Sequence, residues 1–188
     1  MDISIASILG LVYVASELGL GFKKRATGDG SRDGDRGSLR LIWIVIVPSV
    51  VLAYSMVRAL PSAGMGAVRE LPWIGAAVFA AGLALRWYSI MHLGRFFTVN
   101  VAIAANHQLI ETGPYRFVRH PSYTGALMAF LGLALSLANW VSLFILLIPI
   151  LTVFLWRMYV EEAALLQAFG DQYRNYMNRT KRLVPALY

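Results

Sequence analysis

The chain has 188 residues, 58% of them apolar and only 14% charged, with a formal net charge of +7 at pH 7. Ordinary soluble domains are about a quarter charged, so this chain has too little polar surface to cover its apolar mass in water; lipid is its natural solvent. The cations do not point to nucleic acid, because most sit in short segments between long apolar runs, where they read as topology signals and contacts to anionic headgroups.

The absence of cysteine excludes a disulfide framework, a thiol nucleophile and a thiolate metal site. His92, His107 and His120 have no metal-motif spacing, so no metal site is expected. The length suits one compact unit.

A helix needs about 20 mainly apolar residues to cross a bilayer core of roughly 30 Å. The first candidate runs from Ile3 to Phe22 with Glu17 as its one charge, and it lacks the basic start of a cleaved signal peptide. A loop from Lys23 to Arg40 follows, rich in Gly, Asp and Arg. It reads as a mobile, solvated linker, since a phosphate cradle needs a following lysine and helix start. The second span, Leu41 to Val57, contains Pro48, whose freed carbonyl neighbouring helices can cover. The third, Leu71 to Leu93, carries Arg86 near one end.

From Pro121 to Trp156 there is no acidic or basic residue. That stretch is too long for one straight span. Asn139-Trp140 divides it into a helical hairpin with arms of about 18 residues. Trp140 then sits at an interface, where indole is favoured. Beyond Trp156, Leu165, Leu166, Phe169, Tyr173 and Tyr176 recur at helical spacing among charges, which predicts a C-terminal helix leaving the membrane and packing beside it. The fold expected is all-α, with about five transmembrane helices.

The cations test this arrangement. The loop from Lys23 to Arg40 holds six Lys/Arg, Arg95, Arg116 and Arg119 follow the third span, and Arg157, Arg174, Arg179, Lys181 and Arg182 follow the fifth. Only Arg58 and Arg69 lie on the opposite side. The positive-inside rule therefore predicts a cytoplasmic C-terminus and third loop, with the N-terminus outside.

Polar residues concentrate in two segments, Arg95 to Tyr123 and Arg157 to Arg182, which flank the hairpin's open ends. The hairpin should bring them together at the cytosolic face. In the first, Gly113-Pro114 marks a turn and Pro121 suits the start of a helix. Free N–H groups there, with Arg119 and His120 just before, suit a carboxylate or phosphate, although a basic interfacial loop has the same composition. In the second, Arg157 and Glu161 share a helix face, where a simple ion pair is the plain reading. Two carboxylates, Glu161 and Glu162, at the end of a span are costly without partners or water, and a cationic ligand would supply one.

At these residues the sequence resembles the isoprenylcysteine carboxyl methyltransferase family and the broader membrane methyltransferases that include phospholipid N-methylases. The motifs are His107-x-Leu109-Ile110 with Gly113-Pro114-Tyr115, then Arg119-His120-Pro121-Ser122-Tyr123-x-Gly125, and Arg157-x-x-x-Glu161-Glu162-x-x-Leu165 continuing to Arg182-x-x-Pro185. The resemblance covers Leu93 to Pro185. It divides the chain into residues 1–92, a transmembrane scaffold whose first two spans add only membrane bulk, and 93–188, a catalytic region.

The resemblance implies S-adenosylmethionine as methyl donor and a lipophilic or lipidated acceptor delivered from the bilayer. By position, the family's cofactor contacts fall on Asn100, His107, Gln108, Leu109, Ile110, Tyr115, His120, Pro121, Ser122, Tyr123 and Glu161. Arg157 falls where the family places an arginine near the reacting group. Arg119 or His120 would pair with the cofactor's carboxylate. A carboxylate acceptor needs no base, and Arg157 would orient it; an amine acceptor needs one, with Glu162 or His120 available. Two rivals stand beside this reading: an NADPH-dependent sterol-type membrane reductase, which the C-terminal half also resembles, and a non-enzymatic membrane subunit or transporter. The reductases carry Asn-Tyr after the arginine-histidine, where this chain has Pro121-Ser122-Tyr123. Transport would place charges near the bilayer midplane.

Overall fold

The computed structural model describes residues 3–26, 36–66, 68–97, 108–185 and 188. Among these the regular structure is helical: α1 Ile3–Ala26, α2 Arg36–Ala59, α3 Leu71–Leu93, α4 Pro121–Leu137, α5 Trp140–Phe169 and α6 Asp171–Arg179, with 3-10 turns at Pro61–Ala63, Gly94–Phe96 and Gly113–Arg116. No strand forms among the described residues; two isolated backbone bridges join Gly64 to Asn139 and Val118 to Lys181. By length and composition, Arg40–Ala59, Leu71–Leu93 and Trp140–Phe169 are long and apolar enough to cross a membrane, and Ile5–Gly21 and Pro121–Leu137 are shorter apolar helices.

Helix α4 forms the centre of the bundle, burying Ala126, Ala129, Phe130, Leu133 and Leu137. It packs on α3, α5, α1 and α2, while α2 lies mainly along α5. Outward faces are apolar: Leu11, Ile44, Val51, Trp73 and Ile148 are all exposed, as suits a chain solvated by lipid.

In lipid no hydrophobic effect drives helices together, so close backbone approach must supply the contact. The pair α3 and α4 runs antiparallel with glycines seven residues apart on each side. Gly75 faces Gly132 and Ser136, and Gly82 faces Gly125 and Ala129. A Cβ on Gly82 would stand 2.5 Å from the Ala129 nitrogen, and one on Gly125 2.5 Å from the Arg86 nitrogen. Any side chain there forces the helices apart.

The turn between α4 and α5 falls at Ala138-Asn139, beside the division expected at Asn139-Trp140. Ala138 is left-handed (φ 47), and the fully buried Asn139 caps α5 by accepting from the Ser142 N–H at 3.0 Å. The Asn139 amide also donates to the Leu60 carbonyl at 3.0 Å, and the Ser142 hydroxyl donates to Ala53 at 2.7 Å, which fixes the hairpin to α2.

Two local expectations are revised. The hairpin arms are unequal, 17 residues in α4 against 30 in α5. The residues after Trp156 are good helix formers with no breaker, so α5 runs on to Phe169, and the amphipathic segment is its extension plus α6, separated at Gly170 (φ 51). The segment expected to be a linker is partly helical, since α1 reaches Ala26 and α2 begins at Arg36; residues 27–35 lie outside the described residues.

Replacing Gly82 by leucine should cost at least about 1–3 kcal/mol through overpacking. Gly19→Ala, whose Cβ meets nothing within 4 Å, should be neutral or slightly stabilising. Unfolding of the two variants in detergent checks the contrast.

Candidate active site

The turn at Gly113–Arg116 is assembled against α3 and α6. Gly113 has φ +59, and a Cβ there would meet the His92 ring at 2.7 Å, so the glycine is required both by backbone and by space. The His92 imidazole contacts the Thr112 hydroxyl at 2.9 Å. The Tyr115 hydroxyl donates to the Ser89 carbonyl at 3.3 Å, and the Tyr176 hydroxyl donates to the Tyr115 carbonyl at 2.7 Å. Burial pushes the phenols of Tyr115 and Tyr176 well above their ordinary range, so both remain neutral donors.

From that turn the chain enters α4 beside the C-terminal tail. The Arg119 N–H donates to Lys181 at 2.8 Å and the His120 N–H to Arg182 at 3.0 Å, while the Thr124 hydroxyl donates to the Leu183 carbonyl at 2.8 Å. Side chains complete the junction at Glu162. One oxygen accepts from Arg119 Nε at 2.8 Å and lies 3.1 Å from His120 Nε2; the other accepts from Arg182 Nε at 2.9 Å. Arg119 also donates to the carbonyls of Met177 and Thr180. The hydrogen bond to Glu162 is the chief reason that the Arg182 pKa is raised.

Beside this junction lies a cavity of about 390 Å³. Its polar side is formed by Tyr115, Arg119, His120, Ser122, Tyr123, Arg157 and Glu161. The Tyr123 hydroxyl donates to Glu161 at 3.1 Å, and its ring packs against Phe154 at 5.2 Å between centroids. Arg157 is only 3% exposed, on the inner face of α5. The other wall is largely apolar: Leu18, Leu20 and Gly21 from α1, and Ile42, Trp43 and Ile46 from α2.

Of the residues singled out in the sequence, Arg157, Arg119, Tyr115, His120, Ser122, Tyr123 and Glu161 share this cavity. Glu162 does not line it and lies behind, bound to Arg119, His120 and Arg182. Pro121 is buried in the first turn of α4; Leu109 and Ile110 are half-buried and Gln108 is exposed, none of them on the cavity wall. Asn100 and His107 lie outside the described residues. Among the described residues no cluster of His, Asp and Glu suits a metal ion.

Sequence reasoning missed Glu17, Arg86 and the α1–α2 wall. The first two helices do more than add bulk, because they close half of the chamber. A signal for the polar pair was present: Glu17 and Arg86 are single, opposite charges in two apolar stretches, and such residues seek each other in a membrane.

Fold and site together define an integral membrane protein with a ligand-sized chamber at one end of a helical bundle. The family model for phospholipid methyltransferases matches residues 71–172, more than half of the chain. The chain is 34% identical over 108 residues to protein-S-isoprenylcysteine O-methyltransferase of Schizosaccharomyces pombe, covering 56% of this chain and 46% of that one. It is 34% identical over 118 residues to protein-S-isoprenylcysteine O-methyltransferase B of Arabidopsis thaliana, covering 60% of each. A solved eukaryotic intramembrane Ras methyltransferase, isoprenylcysteine carboxyl methyltransferase, is similar with a TM-score of 0.62 and 29% identity, covering 77% of this chain and 52% of that one. The chain belongs to the phospholipid methyltransferase family, and within it is similar to the isoprenylcysteine carboxyl methyltransferases. It spans about half to three-fifths of the length of these relatives.

Breaking the Glu162 junction should be costly, since a buried carboxylate removed from its partners leaves uncompensated charge. Glu162→Gln is expected to destabilise by about 3–5 kcal/mol. By contrast Arg174→Ala, which breaks an exposed pair with Asp171 (64% and 86% exposed), should cost under about 0.5 kcal/mol. Denaturant unfolding in detergent micelles distinguishes the two.

Proposed function

We propose that the chain transfers a methyl group from S-adenosylmethionine to a lipophilic acceptor, a carboxylate of the S-isoprenylcysteine kind, at the cytosolic face of the membrane. One observation carries this reading: a single cavity has Arg157, Glu161, His120 and Tyr123 on one side and an apolar wall from α1 and α2 on the other. That combination suits a polar donor meeting a greasy acceptor. The names of the similar proteins favour the prenylcysteine carboxylate over an amine.

S-adenosylmethionine, when bound, supplies the methyl group and a positive sulfonium. The chamber's donor set fits such a molecule. Glu161 offers a carboxylate for ribose hydroxyls or for charge balance, and the faces of Tyr115 and Tyr123 suit adenine or a cation. Arg119 and His120 suit a carboxylate, although both are also engaged with Glu162. Arg157 would orient the acceptor carboxylate with its fork of donors. Catalysis would then rest on positioning and exclusion of water, without a covalent intermediate.

A carboxylate acceptor needs no base. That agrees with the place of Glu162, whose two oxygens already accept from Arg119 and Arg182. We therefore assign Glu162 to holding the site rather than to proton transfer. We further read α1, α2, α3, α4 and the apolar part of α5 as five spans. The cavity-lining residues come from the helix ends beside the cation-rich segments, which supports a cytosolic active site and C-terminus.

Calorimetric titration of the detergent-purified chain with S-adenosylmethionine, S-adenosylhomocysteine and NADPH tests the reading. Both adenosyl ligands should bind; binding of NADPH alone would reject it in favour of a reductase. Glu161→Gln and His120→Ala should each weaken adenosyl binding by roughly tenfold or more, as expected when a buried polar partner is lost. Arg157→Ala should lower turnover while leaving that binding within about twofold, the pattern of a contact made to the acceptor.

A further inference from the structure

The cavity contains a second polar station that the methyl-transfer reading leaves unused. Glu17 on α1 and Arg86 on α3 both line the chamber. They form a two-pronged ion pair, Arg86 Nε to one Glu17 oxygen at 2.8 Å and Nη2 to the other at 2.9 Å. Their side chains are 14% and 15% exposed. Such a pair is geometrically specific, and removing one partner leaves a charge stranded in an apolar setting.

Its neighbours show what it holds. Trp87, next to Arg86, donates from Nε1 to the Ser16 hydroxyl at 2.7 Å, and Tyr13, one turn before Glu17, packs on Phe130 of α4 at 4.6 Å. On its other side, Arg86 Nη1 reaches the Ser122 carbonyl at 3.4 Å, one residue before Tyr123. The pair thus fastens α1 to α3 and to the first turn of α4. Directly beyond Glu17, α1 contributes Leu18, Leu20 and Gly21 to the apolar wall. The opposite side of the chamber is held separately, through Glu162.

We propose that the Glu17–Arg86 pair is a positioning clamp that holds α1 as the acceptor-binding wall, so that it governs affinity for the lipophilic acceptor and not for the adenosyl ligand. The assignment of the two ligands rests on the function proposed above; the clamp itself does not. Without the pair, α1 loses its charged attachment beside the cavity and keeps the Trp87–Ser16 hydrogen bond and the Tyr13–Phe130 contact, while Tyr123, Glu161 and His120 keep their own partners.

The test uses the full chain in detergent. Glu17→Gln should raise the KM for an S-prenylated cysteine with a free carboxylate by roughly tenfold with kcat little changed, the signature of lost uniform binding. The Kd for S-adenosylhomocysteine should stay within about twofold. Because the chain has no cysteine, Leu20→Cys gives a single reporter on the cavity wall, at a position only 5% exposed. A maleimide should label it about tenfold faster when Glu17→Gln is added, as local opening exposes it.

Equal weakening of both ligands, or unchanged labelling, overturns the clamp. If wild type binds no adenosyl ligand or methylates no prenylcysteine, the functional reading fails, and the labelling rate still decides the clamp. Should Glu17→Gln not fold, Arg86→Lys, which keeps both charges but loses the two-pronged contact, must accelerate labelling in the same direction; no acceleration overturns the proposal.

Discussion

The site depends on one carboxylate. Glu162 receives Arg119 from the loop before α4 and Arg182 from the C-terminal tail, with His120 beside its first oxygen. These groups are up to 63 positions apart in sequence, from Arg119 to Arg182, and none would hold its place alone. Each cation buried without an anion would be costly, and so would the anion without them. Mutual satisfaction makes the arrangement all-or-none. Once it forms, His120 is set at the end of the loop, Pro121 opens α4, and Tyr123 comes one turn in, facing Glu161. Neighbouring glutamates on one helix thereby acquire different environments: Glu162 is enclosed by donors, whereas Glu161 borders the chamber.

The glycine contacts between α3 and α4 make the rest possible. Because α3 lies so close to α4 at Gly82 and Gly125, the Arg86 side chain next to them can reach both Glu17 and the Ser122 carbonyl. Helix packing in lipid thus sets the position of a charged group that could not be tolerated facing the tails. Bulky α3 residues would move Arg86 outward and separate the cavity's two walls.

Much of the architecture was legible because membrane residence simplifies the code. Long uncharged runs, a dividing Asn139 and a late amphipathic segment correspond to α-helices, a capped turn and the α5–α6 extension. Motif residues such as Tyr115, His120, Tyr123, Arg157 and Glu161 were legible as a group because the hairpin returns the chain to its starting level. What was hidden depended on pairing between elements distant in sequence. Nothing local to Glu162 distinguishes it from Glu161; its distant partners do so, Arg119 and His120 before α4 and Arg182 in the tail. The α1–α2 wall carries no motif at all, since apolar residues facing a cavity and apolar residues facing lipid have the same composition. Only Glu17, out of place in an apolar helix, marked that wall.

Electrostatic economy explains how a chamber of this kind sits in an otherwise apolar helical bundle. Glu17 is matched by Arg86, Glu162 by Arg119 and Arg182, and Glu161 accepts from Tyr123. The protein's own groups therefore carry much of the compensation that water would otherwise provide. A ligand entering the polar side meets preoriented donors and acceptors, so little reorganisation accompanies binding. The apolar wall can then border the chamber without facing unmatched Glu17 or Glu162 charge. Division of labour follows from where the clamps lie. Glu162 belongs to the C-terminal half and fixes the polar side, whereas Glu17 and Arg86 join that half to α1. A change confined to α1 or α2 would reshape the apolar wall and leave the polar one standing.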